Sequence, residues 1–86
     1  MGPDEICESY AKNSNKKKIT IRIDQKEDMV VIEGEADALK FIGNLLLAQA
    51  EFKKDCSFFI GPKGAGMALF DKNKSTHGLY INRLSC

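Results

Sequence analysis

Apolar and polar residues alternate one for one from Ile19 to Asp24, with Ile19, Ile21 and Ile23 set against Thr20, Arg22 and Asp24. A period of two sends successive side chains to opposite faces, so the run predicts a strand with one dry face. The polar connection Gln25-Lys26-Glu27-Asp28 leads into Met29-Val30-Val31-Ile32, which is short, β-branched and apolar throughout. Four residues are too few for a parallel crossover, so Ile19–Asp24 and Met29–Glu33 are expected to pair as an antiparallel hairpin. Gly34 then breaks the strand, and the period changes. Ala36, Leu39, Ile42, Leu46 and Ala50 recur at steps of three and four, with Phe41, Leu45 and Phe52 on the neighbouring flank. That spacing predicts one amphipathic helix over about Glu35–Lys53. Glu33, Glu35 and Asp37 near its start and Lys53-Lys54 near its end complement the helix dipole. Gly43 inside it costs about 1 kcal/mol against alanine, and close contact with the sheet would explain its presence.

Past the helix, Cys56–Ile60 reads as a third strand ended by Gly61-Pro62. Met67–Phe70 reads as a short fourth strand, Asp71–His77 as a polar loop, and Leu79–Leu84 as a fifth strand. Residues 1–17 read as a polar lead-in that stays disordered unless Ile6 or Tyr10 docks onto the domain. Within it, Asn13-Ser14-Asn15 and the three lysines that follow read as a linker. The order ββαβββ over residues 18–86 predicts a single α+β domain of two layers. One mostly antiparallel sheet of about five strands carries a single helix on one face, and its other face is left to solvent or a partner.

Size limits what such a domain can do. Eighty-six residues leave room for one small core, and a chain this short is expected to be stable by roughly 3–8 kcal/mol. No apolar run exceeds four residues, as in Leu45-Leu46-Leu47-Ala48, far short of the roughly twenty a membrane helix needs. The first residues show no charged start, apolar stretch and cleavage site in series, so no secretory signal is expected. Three widely spaced cysteines, Cys7, Cys56 and Cys86, and one histidine do not match a zinc pattern. They predict reduced thiols in a cytoplasmic protein, with Cys7 and Cys86 free to oxidise in vitro and Cys56 acting as a small apolar residue.

A net charge of +1 favours neither nucleic acid nor membrane, but its distribution is uneven. Residues 12–22 carry Lys12, Lys16, Lys17, Lys18 and Arg22 with no acid, whereas residues 24–37 carry six acids against Lys26 alone. A dipole of that kind can steer association with a charged partner, and it can equally be a solvated hairpin end.

Little in the chain has the form of catalytic machinery. The glycines of Gly61-Pro62-Lys63-Gly64-Ala65-Gly66 lack the Lys-Ser or Lys-Thr of a phosphate loop. The same loop has the GxxG spacing of a KH domain without the flanking helices, which leaves a turn as the simplest reading. His77 lies in a polar loop with nothing to orient it. Cys56 with His77 is the one imaginable nucleophilic pair, and an apolar strand gives that thiol no reason to ionise. No enzyme, cofactor or metal site is expected. Phe58, Phe59, Phe70 and Tyr80 with nearby lysines could form a face for single-stranded nucleic acid, a role the near-neutral charge disfavours.

From Ile19 to roughly Leu84 the pattern resembles the immunity protein 32 family of bacterial polymorphic-toxin systems. The likeness is carried by Ile19-Thr20-Ile21-Arg22-Ile23-Asp24, by Val31-Ile32-Glu33-Gly34, by the helix from Ala38 through Phe41, Leu45 and Leu46 to Ala50, and by Gly78-Leu79-Tyr80-Ile81 with Leu84. It covers about three quarters of the chain. Members tend to carry a histidine in the strand after the helix, where this chain has Ser57-Phe58-Phe59-Ile60. The resemblance implies a small cytosolic, non-catalytic protein that binds and blocks a cognate toxin. On that footing Asp24, Glu27, Asp28, Glu33, Glu35 and Asp37 are the steering charges, and Phe59 and Tyr80 the aromatic anchors. A phage- or plasmid-encoded inhibitor of a host defence complex would show the same features. The oligomeric state stays open, a homodimer included.

Overall fold

The alternating run after Lys18 and the apolar run after Asp28 pair with each other. In the computed structural model, which describes residues 2–13 and 18–85, β1 (Thr20–Asp24) and β2 (Met29–Glu33) form an antiparallel hairpin. Ile21 stands opposite Ile32 and Ile23 opposite Val30, so these four share one face. Asp24 sets the turn: its Oδ1 accepts from the backbone N–H groups of Lys26 (3.1 Å) and Glu27 (3.2 Å). Asp28 closes it with φ 55°, a left-handed conformation that a short polar side chain tolerates.

Helix α1 (Pro3–Asn13) forms where only a lead-in was expected. Proline opens it, Asp4 and Glu5 sit in the first turn and Lys12 in the last, all in accord with helix-end preferences. What holds it is tertiary. The Tyr10 ring stacks on Phe41 with centroids 4.2 Å apart and planes 8° from parallel, and Ile6 and Cys7 pack against the core. Of the linker expected next, Ser14–Lys17 lie outside the described residues, as does Cys86.

Helix α2 (Ala36–Glu51) begins where the glycine break places it. A Cβ at Gly34 would lie 2.6 Å from the Ala38 Cβ, so the chain can turn this tightly into the helix only with glycine there. Ala38, Phe41, Ile42, Leu45 and Ala48 form its buried stripe. With Tyr10, Ile19, Ile21, Ile60, Leu69 and Phe70 they make up the buried apolar side chains, and each large one stabilises by about 1.5–3 kcal/mol through burial. Gly43 does not touch the sheet: a Cβ there would meet nothing within 4 Å. With no compensating contact, Gly43→Ala is expected to raise stability by about 0.5–1 kcal/mol in urea denaturation.

The end of α2 is capped differently from the sequence reading. No basic residue lies in its last turn, and Lys53 and Lys54 are exposed beyond it. Instead Arg83 reaches across, its Nη1 donating to the carbonyls of Gln49 (3.2 Å), Ala50 (3.3 Å) and Phe52 (2.6 Å). Gln49, 1% exposed, donates from Nε2 to the carbonyl of Asp55 (3.3 Å) in the same corner.

Strands β3 (Ser57–Ile60) and β4 (Leu79–Asn82) form a second antiparallel hairpin, with Phe58 opposite Ile81 and Phe59 opposite Tyr80. Phe58, Ile60, Leu79 and Ile81 turn toward the core, while Phe59 and Tyr80 turn outward.

The expected single sheet with one helix is therefore wrong. Among the described residues the fold is α+β, with two α-helices and two separate two-stranded sheets. The cause lies in residues 66–77. Gly66, at φ 74°, tips the chain into a 3₁₀ turn at Met67–Leu69 in place of a fourth strand. Phe70 makes only an isolated parallel bridge to Ile19. The loop then occupies the outer edge of β1. Ile19 donates to the carbonyl of Leu69 (2.9 Å) and accepts from Asp71 (2.8 Å), and Ile21 accepts from Thr76 (3.0 Å) and His77 (3.2 Å). Ser75 Oγ accepts from the Ile21 N–H (3.3 Å). With Ile19 and Ile21 already bonded to the loop, β1 cannot pair there with the second hairpin. Among the described residues no helix is long and apolar enough to cross a membrane.

Candidate partner-binding surface

The six acids that are dense in sequence are not one cluster in space. Asp24, Glu27 and Asp28 sit at the hairpin tip, whereas Glu33 ends β2 and Glu35 and Asp37 follow it. A strand rises about 3.4 Å per residue, so Asp28 and Glu33 stand about 17 Å apart. Their environments differ as well. Asp24 is engaged by the turn amides. Glu33 Oε1 accepts from Arg22 Nε at 3.0 Å, an ion pair open to water on both sides and worth at most about 1 kcal/mol. Glu35 is the N-cap residue of α2, where its carbonyl accepts from the Leu39 N–H at 3.0 Å. Asp37 lies in the first turn and lines a groove of about 490 Å³ between the two helices, with Ile6, Tyr10, Lys40 and Leu47. Glu27, Asp28 and Glu35 are exposed, and they flank β2 from both ends.

Phe59 and Tyr80 are brought together. They occupy opposed positions on the outer face of the second hairpin, stacked with centroids 5.6 Å apart and planes 9° from parallel. Phe59 is 56% and Tyr80 65% exposed, so the pair presents its outer ring surface to solvent. Both rings border an open groove of about 510 Å³ whose rim includes Pro62, Lys63, Thr76 and His77. The glycine loop beneath is a chain of turns: Gly61 donates to the carbonyl of Ala65 (2.8 Å) and Met67 to that of Gly64 (3.0 Å). His77 Nδ1 lies 2.7 Å from Thr76 Oγ1 at the exposed rim.

Sequence reasoning missed the apolar part of this surface. Val30 is 61% and Ile32 40% exposed, and Met29 and Ile23 are exposed beside them. Leu39 and Leu46, seven residues apart and so on one side of α2, are exposed on the flank opposite the groove shared with α1. The signal was present in Met29-Val30-Val31-Ile32. A strand apolar on both faces needs two covers, and a one-helix layer can supply only one.

The thiols depart from expectation too. Cys56 is disulfide-bonded rather than reduced, which removes the nucleophile of the imagined pair with His77. Cys7 is a free, half-buried thiol, and burial, then Asp4 and Glu8, push it up to about 11. It is therefore almost wholly protonated at neutral pH and inert as a nucleophile. No group of three or more His, Cys, Asp or Glu residues that could hold a metal ion occurs among the described residues. Compared with known protein families, with curated proteins and with solved structures, the chain matches none.

Proposed function

We propose that this chain is a non-catalytic protein that acts by binding another protein, and that its partner is a bacterial toxin which it neutralises. The observation that carries the first half is the Phe59–Tyr80 stack, two large rings held parallel and left open to solvent on a rigid hairpin. Aromatic side chains of this kind supply contact area at low entropic cost and dominate binding energy at protein interfaces. The second half rests on the residue likeness to the immunity protein 32 family. Glu27, Asp28 and Glu35, exposed and outside the ion pair that occupies Glu33, carry charge that can steer a basic partner. The likeness carries a cytoplasmic location with it. The Cys56 disulfide counts against that part, because thiols in a reducing cytosol stay reduced.

The test is co-expression with the product of the adjacent gene, read as growth rescue and as co-purification. The proposal expects rescue by the wild-type chain, and loss of both readouts in Phe59→Ser/Tyr80→Ser with the fold retained by circular dichroism. Loss of two anchors at an interface weakens binding by about a hundredfold or more. Rescue undiminished in the double variant would remove the aromatic anchors. A gel shift with short single-stranded nucleic acid, abolished by the same double variant, would replace the reading with a nucleic-acid module.

A further inference from the structure

Strand β1 is flanked on both sides, by β2 and by loop 69–77, but β2 is flanked on one. The N–H and C=O groups of Ile19 and the C=O of Ile21 are taken by the loop, and the Ile21 N–H by Ser75 Oγ. Residues in antiparallel pairs alternate between exchanging hydrogen bonds and facing away. Ile21–Ile32 and Ile23–Val30 are therefore non-bonded pairs, and the backbone groups of Val30 and Ile32 point outward from the hairpin. No backbone partner for them occurs among the described residues. The result is an open strand edge with exposed β-branched side chains, a template for another strand.

We infer that the outer edge of β2 takes up an extended segment of a protein partner as an added strand, one with an apolar centre and basic flanks. This deepens the partner-binding reading and rests on it. Charge selects the occupant. Going outward from the apolar run, Asp28 and Glu27 stand at one end and Glu33 and Glu35 at the other, and only Glu33 is neutralised by an ion pair. A second copy of this chain fits poorly. Two-fold antiparallel pairing centred on Val31 places Glu27 opposite Glu35 of the other copy, and pairing centred on Val30 places it opposite Glu33. Like charges directly opposed destabilise strand pairs, whereas lysines or arginines at those positions add favourable contacts. Main-chain hydrogen bonds supply affinity in this mode, and alternate side chains supply selectivity.

The probe is a blocked peptide with a Val-Thr-Val-Ile centre between two pairs of lysines, titrated into the full-length chain. Amide exchange with and without peptide is expected to show new protection at Val30 and Ile32. Glu27→Lys/Glu35→Lys should weaken the basic peptide about tenfold at low salt and admit its glutamate-flanked counterpart. Val30→Pro removes an outward N–H that the fold does not use, so it should abolish peptide binding while the far-ultraviolet spectrum stays native. Should proline there disturb the hairpin, the charge-swapped pair decides alone. Protection elsewhere, equal affinity for both peptides, or a dimer that Val30→Pro dissolves would each overturn the inference. Growth rescue that survives Val30→Pro would sink this edge while leaving the toxin-binding reading intact.

Discussion

Tyr10→Ala is expected to destabilise the protein by about 3–5 kcal/mol, the range for removing a buried aromatic ring. Tyr10 is nearly buried and lies 4.2 Å from Phe41 in a parallel stack, so truncation removes the stack and leaves a hole between α1 and α2. The ring is also the main tie of an eleven-residue helix, and a helix that short is marginal on its own. A loss of this size approaches the whole stability expected of a domain of this length, roughly 3–8 kcal/mol. Urea denaturation monitored by circular dichroism checks it, with sulfate added if the variant is unfolded in plain buffer. Tyr10→Phe keeps the stack and should lose only about 1 kcal/mol with its hydroxyl. A loss under 1 kcal/mol for the alanine variant would mean that α1 is not docked on α2.

The second large effect is expected at Arg83. Helix α2 ends at Phe52 in an extended conformation, without a glycine to turn its last carbonyls inward. One guanidinium nitrogen from the residue after β4 serves three of those carbonyls and sets a positive charge at the negative end of the helix dipole. Arg83→Met keeps much of the aliphatic length and removes the donors. It is expected to cost about 2–4 kcal/mol, since hydrogen bonds from a charged group contribute about 1.5–3 kcal/mol and the site is half open to water. Amide exchange should quicken in the last turn of α2 and across β3–β4, because the same side chain ties the second hairpin to the helix. A cost below 1 kcal/mol would reduce this contact to a surface decoration.

Both residues show where local pattern stops being informative. The strand at Ile19–Asp24, its partner and α2 were legible because a strict period of two or of about 3.6 persists along each. Helix α1 has only Ile6, Cys7 and Tyr10 to offer the core, and its order comes from a ring contact with a residue thirty-one positions away. Met67-Ala68-Leu69-Phe70 misled for another reason. A short apolar run has no readable period, and here Leu69 and Phe70 are adjacent and both buried. A strand would have sent them to opposite faces. The 3₁₀ turn lets both enter the core, and Phe70 then seats the loop that closes the edge of β1.

The candidate surface was legible to the same partial degree. Phe59 and Tyr80 were named as the anchors that the family resemblance implies, and their register opposite one another brings the rings together. The acids were read as one cluster because they are close in sequence. The extended strand between them separates Asp28 from Glu33, and the Arg22 ion pair offsets the charge of Glu33. Val30 and Ile32 were not singled out, because the apolar run marks a strand without saying which of its faces is covered.

Native-state amide exchange along β2 tests most directly whether this hairpin stands apart with one edge free. Val31 and Glu33, whose N–H groups face β1, should exchange slowly, and Val30 and Ile32 should exchange nearly as fast as an unfolded peptide. Slow exchange at all four would mean that another strand already covers the edge, contradicting both the two-sheet architecture and the docking surface drawn from it.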